Sequence, residues 1–187
     1  MGDASSIMEG YEPSMAIRKI AQLGHPVLRT PCEAIPPEMI SSPQVQGLIR
    51  DMVETMVDAD GAGLAAPQVH ESVRLVICTL EEGPAVFINP TITPIGDEVS
   101  GSWEGCLSIT GLRGEVERYE HIHLHGWDHE GQEFEVELHG FDAVVTQHEC
   151  DHLDGVLYID RCDSRKLAFL TEYSRYHAAP PEEWDEE

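Results

Sequence analysis

Two histidines four residues apart, His148 and His152, enclose Glu149 in the stretch Gln147-His148-Glu149-Cys150-Asp151-His152-Leu153-Asp154-Gly155. On a helix that spacing stacks both imidazoles on one face, where they can reach a single ion. Glu149 projects beside them, close enough to handle the protons of a water held there. The pattern therefore predicts a helix around which a metal site is built. It supplies two ligands, whereas a catalytic site takes three and keeps an open position. Val144 extends the same face, with Val145 beside it. Asp142, after Gly140, is predicted to cap the helix and Gly155 to stop it. Cys150 lies two residues past His148, points away from that face and reads as a core thiol.

The chain has 187 residues, 41% of them hydrophobic, enough for one compact core. Its 35 acids against 11 bases give a formal net charge of −24, which repels nucleic acid and anionic membranes, so neither is an expected partner. Acid crowds the C-terminus from Glu182 to Glu187, and residues 177–187 are predicted to form a solvated acidic tail. Residues 1–14 lack periodicity and read as a loose arm, which leaves 15–176 as a single catalytic domain. Gly2 and Ser6 fit the spacing of a myristoylation signal, but so short a pattern followed by Asp3 reads as coincidence. Five cysteines form no C-x-x-C pair, and the acidic N-terminus shows no leader. Free thiols and a cytoplasmic location are therefore expected. No apolar run is long enough to cross a membrane.

The hydrophobic pattern divides the rest. Val45, Leu48, Ile49, Met52, Val53, Met56 and Val57 keep the three-four spacing of a core-packing helix, with Ser42 as cap, Pro43 in its first turn and Gly61 or Gly63 as its end. The runs 74–78 and 85–88 read as strands, and Pro90 and Pro94 are expected to break the chain beyond the second. Residues 121–127 and 132–138 alternate cleanly around the turn residues Asp128-His129-Glu130-Gly131, which predicts a hairpin. Alternation sets His121, His123 and His125 opposite Ile122 and Leu124, so these histidines read as the wet side of a strand, not as a metal cluster. Val156–Ile159 is expected to be another strand, and 164–176 fits a helix or extended chain equally well. Strands around one buried helix give an α+β class, with antiparallel sheets packed about a central metal-binding helix.

A third ligand is offered by Cys106, in Trp103-Glu104-Gly105-Cys106-Leu107-Ser108, since a thiolate suits Fe²⁺ or Zn²⁺. Taken alone, this hexapeptide fits a buried structural cysteine as well. In order along the chain, Gly61-x-Gly63-Leu64-Ala65-Ala66-x-Gln68, Glu104-Gly105-Cys106-Leu107-Ser108 and Gln147-His148-Glu149-x-Asp151-His152-Leu153-x-Gly155 closely resemble the three motifs of peptide deformylases. The resemblance spans about residues 17–162 and includes His25-Pro26-Val27-Leu28-Arg29, Phe87-Ile88-Asn89-Pro90 and Leu112-Arg113-Gly114.

That resemblance implies removal of the formyl group from the formyl-methionine terminus of newly made polypeptides. By position, Cys106, His148 and His152 would bind one divalent ion, Fe²⁺ foremost, with Zn²⁺, Ni²⁺ or Co²⁺ accepted. Glu149 would be the general acid and base, and the Gln68 side chain and Leu107 backbone N–H would donate to the formyl oxygen. Ala62, Gly63, Glu104, Arg113, Phe141, Val144 and Val145 would contact substrate, with Arg118 paired to Glu104 behind them. Formyl-methionyl nascent peptides would be the partners, with ribosome contact weak or transient. A general metallopeptidase and a non-catalytic binding protein are the alternatives. The Cys106 ligand and the Gly-Leu-Ala-Ala segment weigh against the first, and Glu149 with Gln68 weighs against the second.

Overall fold

The computed structural model describes residues 16–178, so the expected arm over 1–14 and most of the expected tail over 177–187 lie outside the described residues. Helix α1 (Pro43–Asp58) starts as the sequence predicts, with the Ser42 hydroxyl accepting from the Val45 N–H and Pro43 in the first turn. It buries Leu48, Ile49, Met52 and Met56 along one stripe. Its end differs from expectation. The helix stops at Asp58, and Asp60 takes the left-handed conformation (φ 53°). The Asp60 and Gly61 N–H groups then return to the carbonyls of Val57 and Met56. Aspartate tolerates that conformation, so the stop does not need Gly61 or Gly63.

Two antiparallel sheets make up most of the remaining chain. The larger has the order β1 (Gly63–Ala65), β2 (Leu75–Leu80), β3 (Gly83–Pro94), β6 (His121–Trp127), β7 (Glu133–His139). The smaller joins β4 (Val99–Cys106), β5 (Ile109–Tyr119) and β8 (Leu167–Phe169). Helix α2 (Gly140–Leu153) packs against strands of both sheets. Leu75, Ile77, Val86 and Ile88 face α1 on one side of the large sheet. Val76, Cys78, Phe87, Ile122, Leu124 and Leu138 face Ala143, Val145 and Leu153 of α2 on the other. Burial on both faces explains why β2 reads as a continuous apolar run. The class and the central helix match the sequence reading, and all five cysteines are free.

Four local expectations are corrected. Strand β3 is not broken at Pro90. The ladder shifts register between Ile88 and Thr91, and the Asn89 amide fills the gap by bonding both the N–H and the C=O of Ile35. A bulge asks no N–H of Pro90, so the strand passes through it to Pro94. Helix α2 begins at Gly140 rather than near Asp142, with extended His139 preceding it, and the Asp142 carboxylate accepts from the Glu81 N–H instead. The run 156–159 is not a strand. The Asp160 carboxylate accepts from the Leu157 N–H and starts a helical turn, α3 (Tyr158–Arg161). The undecided segment 164–176 divides, adding β8 to the small sheet before α4 (Leu170–Tyr176). The β6–β7 hairpin closes as expected, with Asp128 accepting from the Glu130 and Gln132 N–H groups and Gly131 at φ 79°.

Gly155 ends α2 at φ 72°, and a Cβ there would stand 2.8 Å from the Arg29 carbonyl carbon. Gly155→Ala is expected to cost about 1–3 kcal/mol of stability, lowering Tm by about 2–4 °C per kcal/mol. An unshifted thermal unfolding curve would contradict the close packing of this turn.

Candidate metal centre

Every residue of α2 from Val145 to Leu153 is buried, including Gln147, His148, Glu149, Asp151 and His152. Polar groups taken out of water need partners. Those partners build the site. Cys106 ends β4 with its Sγ 3.3 Å from His152 Nε2. One donor atom from each of Cys106, His148 and His152 lies within 4.8 Å of the other two. His148 Nδ1 is 2.7 Å from Glu104 Oε2, which leaves Nε2 as the nitrogen offered to an ion. The Ser108 N–H points at Cys106 Sγ from 3.4 Å and Gln68 Nε2 from 3.5 Å, so two donors are directed at the sulfur.

Behind the histidines runs a chain of buried charge. Arg118 holds both oxygens of Glu104, at 2.8 and 2.9 Å, and reaches Asp151 at 2.5 Å. Arg161 grips the same Asp151 at 2.5 and 2.6 Å. Arg118 is 3% exposed and Glu104 6%, so this end of the network is interior, while Arg161 closes it from the exposed surface. Burial alone would raise the Glu104 carboxyl, but its bonds to Arg118 and His148 outweigh that and hold its pKa below the usual value. Glu104 therefore stays a carboxylate, committed on both oxygens to neighbours within the protein.

Glu149 has a different setting. Burial lifts its carboxyl to about 7, against the opposing pull of His148, and its Oε2 has no hydrogen-bond partner. It lies so close to Gly63 that a Cβ on that residue would sit 2.4 Å from Glu149 Oε1. Only glycine lets β1 pass there. A buried carboxyl without a partner, beside one sulfur and two imidazole donors, fits a site for a divalent transition metal.

The cluster opens on a cleft of about 840 Å³. Ala62, Gly63 and Gln68 form one wall, and Cys106 at the end of β4 with Leu107 in the turn after it forms another. Val144, Val145 and exposed Phe141 come from α2, and Glu104 and Arg113 lie along the small sheet. His152 and Arg118 stand behind this surface. The Ala65 N–H donates to Gln68 Oε1 at 2.7 Å, which turns Nε2 toward the Ser108 hydroxyl at 3.2 Å and the thiol. Sequence reasoning assigns no role to Ser108, Asp151 and Arg161, nor to Trp103 and Leu170, which also line the cleft. Ser108 and Asp151 sit inside the motifs, which is a usable signal. Arg161 and Leu170 arrive through tertiary folding and leave no mark in the local pattern.

A family model described as polypeptide deformylase matches residues 17–168. The chain belongs to that family. It is 44% identical over 164 residues to a peptide deformylase of Leptospira biflexa, covering 82% of this chain and 92% of that one. With peptide deformylase 1 of Bordetella pertussis the identity is 47% over 156 residues, covering 78% and 87%. A class I type b peptide deformylase of Acinetobacter baumannii, solved with Met-Ala-Ser bound, superposes with a TM-score of 0.75 at 30% identity, over 79% of this chain and 99% of that one. The three deformylase-like segments, 61–68, 104–108 and 147–155, converge on one cleft.

Glu104→Gln removes the carboxylate from His148 Nδ1 and leaves Asp151 as the one carboxylate bonded to Arg118 in this network. Metal affinity, measured by competition with a chelator, is expected to fall about 10–100-fold. Unchanged affinity would show that Glu104 does not orient His148.

Proposed function

We propose that this chain hydrolyses the formyl group from the formyl-methionine terminus of newly synthesised polypeptides, releasing formate. One observation carries the reading: Glu149, the oriented Gln68 amide and two members of the three-donor cluster, Cys106 and His148, line a single cleft beside the Leu107 turn, with His152 directly behind them. The Met-Ala-Ser found in the Acinetobacter relative supports a short peptide as the occupant of such a cleft.

Cys106, His148 and His152 would hold one divalent ion, Fe²⁺ foremost, with Zn²⁺, Ni²⁺ or Co²⁺ as substitutes, because thiolate and imidazole suit that group of metals. When bound, the ion acts as a Lewis acid and brings water within reach of deprotonation near neutral pH. Glu149 takes the proton of the attacking water as the new C–O bond forms at the formyl carbon. Gln68 Nε2 and the Leu107 N–H donate to the formyl oxygen as it gains charge, each worth about 3–4 kcal/mol of barrier. The C–N bond then breaks, its electron pair stays on nitrogen, and Glu149 returns the proton there. A carboxyl near 7 suits a group that must both take and give a proton.

Ala62, Gly63, Phe141, Val144 and Val145 are the apolar surface for the methionine side chain, and Arg113 lies along the peptide. Glu104, with both oxygens engaged, acts with Arg118 as a brace for His148 rather than as a substrate contact. A formyl-methionyl nascent chain as substrate supports a cytoplasmic location for the activity. Among the described residues, no helix is long and apolar enough to cross a membrane. A net charge of −24 keeps direct nucleic-acid binding out of the reading and makes ribosome contact weak or transient.

Formyl-Met-Ala-Ser incubated with the metal-loaded chain is expected to release formate, and cleavage of internal peptide bonds alone would refute the reading. Glu149→Ala should keep the metal and lose about 10²-fold or more in turnover, whereas Cys106→Ala should lose the metal. On ribosomes, little co-sedimentation is expected even at low salt. Strong binding that disappears on deleting residues 180–187 would overturn the electrostatic part of the proposal.

A further inference from the structure

The outer face of the β6–β7 hairpin carries chemistry that the cleft does not use. His121, His123 and His125 of β6 share a face with Glu133, Glu135, Glu137 and His139 of β7, half-buried or exposed throughout. In the ladder His121 stands opposite His139, and His123 opposite Glu137. The side chains meet diagonally. His121 Nε2 is 3.0 Å from Glu137 Oε2, His123 is 3.7 Å from Glu135 and His125 is 2.9 Å from Glu133. At the open end of the hairpin the His121 and His139 rings stack with centroids 3.7 Å apart.

Along β6, alternate histidines start about 7 Å apart, an obstacle to gathering three of them on one ion. The cross-strand neighbour removes that obstacle, since residues directly opposite bring their Cβ atoms to about 5 Å. One donor atom from each of His121, Glu137 and His139 lies within 4.8 Å of the others. Among the described residues, this is one of two groups that satisfy such a condition, the other being the Cys106 cluster.

We propose that His121, Glu137 and His139 bind a second divalent cation, of the Zn²⁺ class, on the surface of the large sheet. Two imidazoles and one carboxylate are a donor set that zinc accepts in proteins. Ligands about 2.0–2.1 Å from a tetrahedral ion lie about 3.3 Å from one another, close to the 3.0 Å that separates His121 from Glu137. The carboxylate is 60% exposed, so an ion can enter without opening the core and the side chains can close around it. A chain of net charge −24 also concentrates cations at its surface. The place is not neutral with respect to the fold. His139 immediately precedes α2, the helix that carries His148, Glu149 and His152, and Phe141 two residues later stands at the rim of the cleft. An ion held there ties the end of the hairpin to the start of that helix.

The test is equilibrium dialysis of the full chain, its Cys106 cluster already loaded, against micromolar Zn²⁺ in a large excess of Mg²⁺. Magnesium occupies sites made of carboxylates alone and competes poorly for imidazole. A second equivalent of zinc is expected in the unsubstituted chain. It should be lost in His121→Ala/His139→Ala and weakened in Glu137→Gln, with the first equivalent and the far-ultraviolet spectrum unchanged in both. His123→Ala/His125→Ala should keep it. A single equivalent in the unsubstituted chain would overturn the proposal. So would a second equivalent that survives loss of His121 and His139, or one that falls equally in the His123/His125 variant.

Discussion

The structure depends on the charge chain that lets a polar helix lie in the interior. Helix α2 buries histidines, acids and an amide between two sheets, an arrangement that hydrophobic packing alone would reject. Arg118 resolves it by bonding Glu104 and Asp151 together, and Arg161 completes Asp151 from the far side. Two carboxylates and two guanidiniums then sum to no net charge, and each oxygen is engaged. Breaking the buried Arg118 links is costly although forming them contributes little net stability. The network is better understood as fixing one arrangement than as holding the fold together. What it fixes is His148, through the bond from Nδ1 to Glu104, and so the direction in which Nε2 presents itself.

Close backbone approach does the rest. Gly63 lets β1 run against the Glu149 carboxylate, and Gly105 lets β4 lie against the Arg113 guanidinium, where a Cβ would meet Nη1 at 1.9 Å. Each glycine stands where two chemical groups must share the space of one side chain. The short helical turn after β1 then carries Gln68, whose side-chain Oε1 is held by the Ala65 N–H only three residues earlier. The amide direction is thus set locally, before any tertiary contact with Ser108 or Cys106.

These local dependences explain how much is legible in the sequence. The spacing of His148 and His152, the α1 stripe from Leu48 to Met56, and the Asp128–Gly131 turn are all encoded within a few residues. Their reading from sequence agrees with the fold. Where the outcome rests on distant partners, the sequence misleads or is silent. Pro90 has the look of a strand breaker, yet Asn89 finds Ile35, more than fifty residues away, and the strand continues. The short apolar run at 156–159 reads as a strand, but Asp160 turns it into a helix by capping Leu157. Arg161 meets Asp151, and His139 meets His121, only because helix packing and hairpin register bring them together. The three motifs make the cleft legible from resemblance. The brace behind it is a product of tertiary structure alone.

Charge balance also explains why one acid in this interior behaves unlike the others. Asp151 and Glu149 are the two buried acids of α2, two residues apart and therefore on different faces. Asp151 faces two guanidiniums and remains a partner in structure. Glu149 faces Gly63, which has no side chain to offer, and the cation nearest in kind, Arg118, is already committed to Glu104 and Asp151. Burial is then opposed only weakly, and the carboxyl rises to about 7. The same network that engages Glu104 and Asp151 provides no hydrogen-bond partner for Glu149 Oε2. The raised proton affinity of Glu149 follows first from burial, which His148 and Arg118 offset only in part.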